Sequence, residues 1–354
     1  MTAFLSIRNL HKSYHGNVAV QNVSLDIRKG EFVTFLGPSG SGKSTTLYVI
    51  AGLMEPTGGD VLVNGRTILD VPSNHRNIGM VFQKYTLFPN MTVRENIAFP
   101  LVVRKRPRDE IEARTNEMLR LVRMEQLAGR YPAQMSGGQQ QRVAIARAMV
   151  YEPEILLMDE PLSALDKKLR EEIQGEIKRV HERTGVTILY VTHDQEEALR
   201  LSDRIILFNT GRVEQIGTCT DLYTSPRSRF AGQFLGNSNF MPVEIMDAAA
   251  GTIRLPGGAC VENVRICDSG DVDHPLLMMR PEDLTFRKAG DCACSFDGQV
   301  RSSYFLGNVM NYEIEIPGDY TLTMRVYIDG TEHPPQTGDR VSVGWLPHKA
   351  IVFR

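Results

Sequence analysis

A chain of 354 residues has room for about two domains, each with a buried core. The formal net charge of −2 shows no basic excess, so we expect no nucleic-acid partner. No segment approaches the roughly 18 uninterrupted apolar residues of a membrane helix, and the first residues lack a signal peptide's apolar core. Five cysteines, four of them beyond residue 259, fit a reduced cytoplasmic chain better than a secreted disulfide framework.

The first two thirds of the chain alternate between strand and helix patterns. Short runs at 4–10, 23–27 and 61–66 predict a partly antiparallel edge. Three near-continuous apolar runs predict central parallel strands that are buried on both faces, and they lie at 31–37, 154–160 and 186–194. Together with the helical patterns between them, these runs predict an α/β fold, with a parallel sheet and covering helices.

The stretch "GPSGSGKST" follows the first of these apolar runs and precedes a helical pattern. Its first eight residues match G-x-x-x-x-G-K-[ST] completely, and the stretch consists of Gly37, Pro38, Ser39, Gly40, Ser41, Gly42, Lys43, Ser44 and Thr45. Glycines leave space for close approach by a ligand, and backbone N–H groups at the following helix can cradle phosphates. Lys43 adds charge for the outer phosphates, and the Ser44 hydroxyl can bind Mg²⁺. The strand–loop–helix context favours a nucleoside triphosphate site over an ordinary glycine- and serine-rich surface loop.

Residues 88–150 have a mainly helical pattern that interrupts the alternation. The basic run "RKRPR" at 104–108 could suggest phosphate or lipid binding, but a solvated loop between helices is the simpler interpretation.

Further along, "MSGGQQQR" places Ser136 at a helix N-cap, with two glycines and an apolar stripe after it. This is a second helix N-terminus that can receive an anion.

Two carboxylates, Asp159 and Glu160, end the buried run "ILLMDE". Open α/β sheets bind ligands at the carboxyl ends of their strands. Beside a phosphate loop, one carboxylate can serve Mg²⁺, directly or through water, while the other polarises an attacking water. A strand that merely ends in turn-forming acids is the alternative. The helical stripe that follows, from Leu165 to Val180, is predicted to stop at Gly185.

The pattern changes again from about residue 240, where short alternating segments predict a small β-barrel or sandwich. We expect the domain boundary near 232–242, which gives domains 1–237 and 238–354.

Cys292 and Cys294 could form half of a metal site. No His/Cys pair lies nearby at zinc spacing, so we do not expect one.

The set of motifs resembles the ATP-binding subunit of an ABC transporter. The resemblance rests on "MSGGQ" at 135–139, "ILLMDE" at 155–160, "SALD" at 163–166 and "VTHD" at 191–194, in the family's order over about the first 235 residues. Met135 stands where the family usually has Leu, which is a volume-conserving change. The resemblance implies a P-loop NTPase cassette with a helical subdomain at about 88–150, and ATP and Mg²⁺ as cofactors.

The resemblance also implies roles for single residues. Tyr14 matches the aromatic residue that stacks on adenine, although an edge-strand tyrosine is the alternative. Gln83 matches the glutamine that reaches Mg²⁺ and the attacking water and that adjoins the permease contact. Asp159 matches the acid that supports Mg²⁺, Glu160 the general base, and His193 the switch histidine that touches the γ-phosphate.

The resemblance also implies that some residues act only when two copies of the chain form a dimer. Ser136, Gly138 and Gln139 would complete the ATP site of the partner subunit, and Asp166 would lie at the dimer seam. The resemblance therefore implies a homodimer that ATP closes and that hydrolysis opens.

An importer motor is favoured over a soluble ABC ATPase that acts on ribosomes or DNA. Ribosomal members usually carry two cassettes, and DNA-repair members carry long coiled coils, whereas this sequence has neither. An importer motor would lie at the cytoplasmic face of the inner membrane, on integral membrane permeases. It would depend indirectly on a periplasmic solute-binding protein.

The C-terminal sequence resembles the TOBE domain, an OB-like β domain of importers for maltose, polyamines, ferric iron and sulfate. The resemblance rests on "MRPEDL" at 279–284 and "YFLGNVMNYEIEI" at 304–316. This domain could pair the two subunits or bind a regulatory ligand. Residues 95–104 and 232–240 resemble the polyamine and ferric-iron branch most closely. We therefore expect a spermidine- or putrescine-like cargo, with ferric iron, phosphonate, sulfate and sugars as alternatives.

Overall fold

The computed structural model describes residues 3–84, 86–270, 272–286, 294–328 and 334–354. Cys292, which sequence analysis considered as half of a metal site, lies outside these residues. The chain forms two compact units, Met1–Thr220 and Asp221–Arg354. Within the described part of the chain, no helix has the length and apolar character that crossing a bilayer requires.

The first unit contains ten strands and six helices among its described residues. The strands are β1 (Leu5–Tyr14), β2 (Asn17–Ile27), β3 (Phe32–Leu36), β4 (Gly58–Val63), β5 (Arg66–Thr67), β6 (Ile78–Val81), β7 (Ile155–Asp159), β8 (Thr187–Thr192), β9 (Arg204–Asn209) and β10 (Arg212–Gly217). The helices are α1 (Lys43–Ala51), α2 (Val93–Val103), α3 (Arg108–Leu121), α4 (Gly137–Met149), α5 (Lys167–Thr184) and α6 (Gln195–Leu201).

A six-stranded sheet in the order β10-β9-β3-β8-β7-β6 forms the centre of this unit. All of its pairs are parallel except β9 with β10. Every residue of β3, β7 and β8 is buried, which confirms that the three apolar runs are central strands. Because parallel strands share their direction, the segments that follow β3, β6, β7 and β8 meet at one edge.

A second sheet, in the order β2-β1-β4-β5, is antiparallel throughout, whereas the sequence predicted a partly antiparallel edge. Its inward side chains form one core with the nearer face of the central sheet, whereas α2, α3, α4 and α5 supply the core on the other face. The unit is therefore layered around the central sheet. This confirms the predicted α/β class.

The helical segment is confirmed between residues 88 and 150, where it contains α2, α3 and α4. Thr92 caps α2 in a capping box with Glu95. The basic run is the exposed connection from α2 into α3, as predicted, and its Arg104 guanidinium lies 3.8 Å from the centre of the Tyr151 ring. Gly185 ends α5 at a φ of 64°, which also agrees with the prediction.

The second unit is mainly β-structure. Two short helices, α7 (Cys219–Thr224) and α8 (Arg229–Phe234), precede the strands, and α7 spans the division between the units. The strands are β11 (Asn239–Pro242), β12 (Glu244–Asp247), β13 (Thr252–Arg254), β14 (Cys260–Val261), β15 (Arg265–Cys267), β16 (Leu276–Met279), β17 (Thr285–Phe286), β18 (Ser295–Phe305), β19 (Val309–Ile316), β20 (Tyr320–Tyr327), β21 (Arg340–Gly344) and β22 (Ile351–Phe353). They form three sheets, in the orders β11-β16-β22-β15, β12-β13-β14 and β17-β21-β18-β19-β20.

This unit begins at residue 221, whereas the sequence predicted a boundary after residue 237. Arg280 gives a physical reason for the difference, since it is only 4% exposed. Its guanidinium donates to the carbonyl oxygens of Gly232 at 3.0 Å, of Tyr223 at 2.7 Å, and of Leu235. Hydrogen bonds therefore attach the segment 221–237 to the β-rich unit.

We expect Arg280→Met to destabilise the C-terminal unit by about 3 kcal/mol, because buried carbonyl groups lose their donor. Urea unfolding followed by the fluorescence of Trp345, the only tryptophan, measures this unit directly because the side chain is 2% exposed. Arg254→Met is the control, since this exposed arginine makes one surface ion pair, with Glu244 at 3.1 Å. It should change the free energy of unfolding by less than about 0.5 kcal/mol. Equal effects of the two substitutions would contradict the role of Arg280.

Candidate nucleotide-binding site

The phosphate loop connects β3 to α1 and is held by its own lysine. Lys43 Nζ donates to the carbonyl oxygens of Gly37 at 2.8 Å and Pro38 at 2.7 Å, and the residue is 4% exposed. Burial lowers the pKa of the Lys43 ammonium, while the nearby charges of Glu160 and Asp159 act in the opposite direction. Residues 39–45 line an open pocket together with Glu160. A polyphosphate can enter at the positive end of α1.

The structure shows why two positions of the loop require glycine, and the sequence did not suggest this reason. A Cβ atom at Gly37 would lie 2.3 Å from the carbonyl oxygen of Phe208, and one at Gly42 would lie 2.5 Å from that of Ala19. These glycines make room for the protein's own backbone. Gly40 faces open space, and its φ of 77° is what favours glycine there.

Asp159 ends β7 beside the loop, with 4% of its surface exposed. Ser44 Oγ donates to its Oδ1 at 2.7 Å, and the Tyr48 hydroxyl donates to its Oδ2 at 2.6 Å. Burial, and then the bond to Asp159, raise the pKa of the Tyr48 phenol, so it stays a proton donor. Tyr48 was not predicted from the sequence. Its position one helical turn after Ser44 was the available signal.

The residues predicted to hold Mg²⁺ fit such an ion chemically. Ser44, Asp159 and Gln83 offer hydroxyl, carboxylate and amide oxygens, which hard cations prefer. The described residues contain no group of three or more His, Cys, Asp and Glu side chains that could hold a metal ion. A site with one carboxylate agrees with that finding, because Mg²⁺ at nucleotide sites takes its remaining ligands from phosphates and water.

Glu160 lies at the centre of the predicted catalytic group. Its carboxylate Oε2 is 3.5 Å from Gln83 Nε2, and its Oε1 is 3.3 Å from His193 Nδ1. Gln83 follows β6, Glu160 follows β7 and His193 follows β8, so three adjacent parallel strands bring these side chains together. The side chain of Glu160 is 19% exposed, whereas that of His193 is 52% exposed. The histidine ring is therefore accessible to a ligand.

The backbone of Glu160 is strained. Its φ is 42°, in the left-handed region that a side chain disfavours. Its N–H donates to the carbonyl oxygen of Val191 at 3.0 Å, so the adjacent strand-end segment helps to fix this geometry. Strain of this kind costs about 1–3 kcal/mol and is concentrated at functional sites.

A buried acidic network, which sequence analysis also missed, adjoins His193. Glu197 is 3% exposed and accepts hydrogen bonds from the Tyr190 hydroxyl at 2.8 Å and from Thr192 Oγ1 at 2.9 Å. Arg170 on α5 pairs with Asp194 at 2.8 Å. Burial is the main cause that raises the pKa of the Glu197 carboxyl. The turn that carries His193 is therefore anchored on both sides of the histidine.

The residues predicted to serve a partner subunit are not brought to this chain's own phosphate loop. Ser136 caps α4 in a capping box with Gln139, and Asp166 caps α5. A Cβ atom at Gly138 would lie 2.6 Å from Leu169 Cδ1, so this glycine lets α4 and α5 pack closely. Among the described residues, no hydrogen bond joins these four residues to the segment 37–45.

Tyr14 lies at the end of β1 and is 39% exposed. Its hydroxyl donates to Met54 Sδ at 2.6 Å, and Lys12 Nζ lies 5.0 Å from the centre of its ring. An exposed ring is available for stacking. The proposed contact with adenine stays a prediction.

Two protein families match this chain, and each match lies within one of the two units. The family described as "ABC transporter" matches residues 20–163, and the family described as "TOBE domain" matches residues 277–353. The spermidine/putrescine import ATP-binding protein PotA of Thermotoga maritima is 44% identical and covers 98% of this chain and 97% of its own length. The protein of the same name from Pseudomonas fluorescens Pf-5 is 43% identical, with 98% and 95% covered.

Two solved structures are similar to about two thirds of this chain. The dimeric cassette MJ0796, in a post-hydrolysis state bound to ADP and Pi, has 39% identity and a TM-score of 0.55, and covers 61% of this chain and 98% of its own. The transporter component cbiO1 from Clostridium perfringens has 30% identity and a TM-score of 0.59, and covers 66% of this chain and 93% of its own. Phosphate loop, strand-end acids and fold together define an ATP-binding cassette with ATPase activity. The chain belongs to the family of ABC import ATP-binding proteins that carry a C-terminal TOBE domain.

We expect the buried carboxyl of Glu197 to make stability depend on pH. Its raised pKa means that the folded protein keeps this proton to a higher pH than the unfolded chain does. The contribution of Glu197 to stability therefore falls as the pH rises from about 4.5 through the raised pKa, and it is level above that. Glu197→Gln removes the titration, so the variant should gain stability relative to wild type across this window.

Urea unfolding at a series of pH values, followed by far-ultraviolet circular dichroism, measures the helix-rich first unit. Glu196→Gln is the matched control, because Glu196 is the exposed neighbour on the same helix. A stability difference between Glu197→Gln and wild type that does not change with pH would show that Glu197 does not titrate as described.

Proposed function

We propose that this chain is the ATP-hydrolysing motor of an importer for polyamines such as spermidine and putrescine. The position of Glu160 between Gln83 and His193, at the edge of the phosphate-loop pocket, is the observation that carries the hydrolytic role. The cargo class rests on relatives that carry the name spermidine/putrescine import ATP-binding protein and match almost the whole chain.

The phosphates of ATP would bind at residues 37–45, where Lys43 exchanges contacts with loop carbonyls for contacts with phosphate oxygens. Ser44 and Gln83 would hold Mg²⁺, with support from Asp159. That ion would neutralise charge on the β- and γ-phosphates. Tyr14 would stack on the adenine ring, because its ring is exposed at the end of β1.

Glu160 would act as the general base. Its carboxylate accepts a proton from the attacking water, whose oxygen then bonds to the γ-phosphorus as the bond to the leaving ADP oxygen breaks. Gln83 orients the water, since its amide lies within 3.5 Å of the Glu160 carboxylate. His193 would donate to a γ-phosphate oxygen, and its Nδ1 lies 3.3 Å from the same carboxylate.

Two copies of the chain would form the complete enzyme. Ser136, Gly138 and Gln139 have no hydrogen bond to this chain's phosphate loop within the described residues, so they are available to the ATP of a second copy. Asp166 would lie at the seam between the copies. The dimeric cassette bound to ADP and Pi supports this arrangement. An ATP that is contacted by both copies favours the closed dimer through its differential affinity.

The motor would work at the cytoplasmic face of the inner membrane, on integral membrane permease subunits and indirectly with a periplasmic solute-binding protein. Val102 and Val103 support a protein contact near the end of α2, because they are 54% and 60% exposed. Movement of the helical subdomain and Gln83 would transmit closure of the dimer to the permeases.

We predict that Glu160→Gln binds ATP but forms a stable closed dimer, because the amide fills the same space and cannot accept the proton. Hydrolysis should fall by about 10²-fold or more, as expected when a general base is removed. Light scattering at saturating ATP measures the dimer. Glu154→Gln is the matched control, since the exposed side chain of Glu154 forms an ion pair with Lys29 at 3.3 Å. A Glu160→Gln protein that stays monomeric with ATP would rule out this assignment.

The cargo is tested on the assembled transporter. We expect the ATPase rate of the chain, reconstituted with its permease and binding protein, to rise when spermidine or putrescine is added. Ferric iron, phosphonate, sulfate and maltose are the comparison substrates. Stimulation by one of these instead would reject the polyamine assignment and keep the importer. Steady basal hydrolysis without any stimulation would reject the tested cargoes and partners while leaving the ATPase in place.

A further inference from the structure

Tyr48 is the unexpected residue of the nucleotide site. It lies four positions after Ser44 on α1, so both side chains project from the same face of the helix. Each donates one hydrogen bond to Asp159, and the two bonds go to different oxygens of the carboxylate, at 2.7 Å to Oδ1 and 2.6 Å to Oδ2. One helix therefore holds both ends of this carboxylate.

Two donors on two oxygens constrain the carboxylate more than one donor can. The terminal torsion of an aspartate is broad, so a single bond to Oδ1 leaves the carboxylate plane free to turn. The phenol at Oδ2 removes that freedom. Bonds to an ionised acceptor are also stronger than neutral bonds, which favours the held orientation.

The arrangement leaves Ser44 free to bind a cation. Its single hydroxyl proton is directed to Asp159, so the lone pairs of its oxygen are available on the remaining sides. If Asp159 turned, Ser44 would lose the acceptor that orients its hydroxyl. The orientation of the candidate metal ligand thus depends on Tyr48 through Asp159.

We infer that Tyr48 is a positioning residue for the Mg²⁺ of the nucleotide site, acting by fixing the carboxylate of Asp159 and, through it, the hydroxyl of Ser44. The inference rests on the proposed function, because it takes the metal to be bound there. Tyr48 is expected to contact neither phosphate nor metal. Partners that orient metal ligands typically contribute 10- to 100-fold to metal affinity or activity.

A purely structural role for Tyr48 makes a different prediction. The bond to Asp159 also joins α1 to β7, and its loss could simply loosen the helix. However, α1 is already held by the buried apolar side chains of Leu47, Val49 and Ile50. A loosened helix would weaken the binding of ATP with and without metal, whereas a misdirected carboxylate weakens only the metal-dependent part.

Tyr48→Phe removes the hydroxyl and keeps the ring. We expect the full-length variant to bind Mn²⁺ together with a non-hydrolysable ATP analogue about tenfold more weakly than wild type. Its affinity for the same analogue in EDTA should be unchanged. Electron paramagnetic resonance counts free Mn²⁺, and calorimetry measures the nucleotide. Tyr151→Phe is the matched control, because its hydroxyl donates to the backbone carbonyl of Ile78 at 2.8 Å in the same unit.

A double-mutant cycle tests whether Tyr48 acts through Asp159. In the Asp159→Asn background, Tyr48→Phe should cause little further loss of Mn²⁺ affinity, because the carboxylate it orients is gone. Equal losses in both backgrounds would overturn the inference. If Tyr48→Phe does not fold by circular dichroism, Tyr48→Met removes the same hydroxyl with an adaptable apolar side chain and is measured in its place.

The wild-type measurement separates the inference from the proposed function. If wild type binds the analogue equally with and without Mn²⁺, the metal site itself is wrong and the inference is lost with it. If wild type requires Mn²⁺ to bind the analogue, and Tyr48→Phe binds Mn²⁺ with the analogue as tightly as wild type does, only the role of Tyr48 is overturned. A loss of affinity in EDTA as large as that with Mn²⁺ would show that the residue has a structural role alone.

Discussion

The parallel pairing of β3, β8, β7 and β6 is the constraint on which the candidate site depends. Parallel strands in one sheet share a carboxyl edge, so residues distant in sequence reach that edge together. The phosphate loop follows β3, Gln83 follows β6, Glu160 follows β7 and His193 follows β8. Complete burial of β3, β7 and β8 makes slippage of this register costly, because it would disrupt a close-packed core.

The side chains at this edge are held mainly by neighbours that have no expected contact with the nucleotide. Asp159 is bound to the hydroxyl of Tyr48, and the backbone N–H of Glu160 is bound to the carbonyl oxygen of Val191. Buried Glu197 anchors the segment that carries His193. This second layer lets a strained residue such as Glu160 persist, since surrounding structure must offset the strain.

The sequence predicted those parts of the fold and site that depend on local pattern. Apolar runs identified the buried strands, and fixed spacing identified residues 37–45, because a phosphate loop is one continuous segment. Tyr48, Arg170 and Glu197 were missed because their partners lie on other elements. Residues 221–237 were assigned to the first domain, since no local signal shows that Arg280 binds their carbonyls across more than forty positions.

The bond between Lys43 and its own loop also affects the thermodynamics of nucleotide capture. A lysine side chain that is free in solution loses about 2 kcal/mol of rotamer entropy when it is fixed. Here that loss occurs when the chain folds, because the ammonium is already fixed by the carbonyl oxygens of Gly37 and Pro38. ATP therefore meets an ordered loop, in which Lys43 exchanges its bonds to carbonyl oxygens for bonds to phosphate, and less of the binding free energy is spent on ordering the protein.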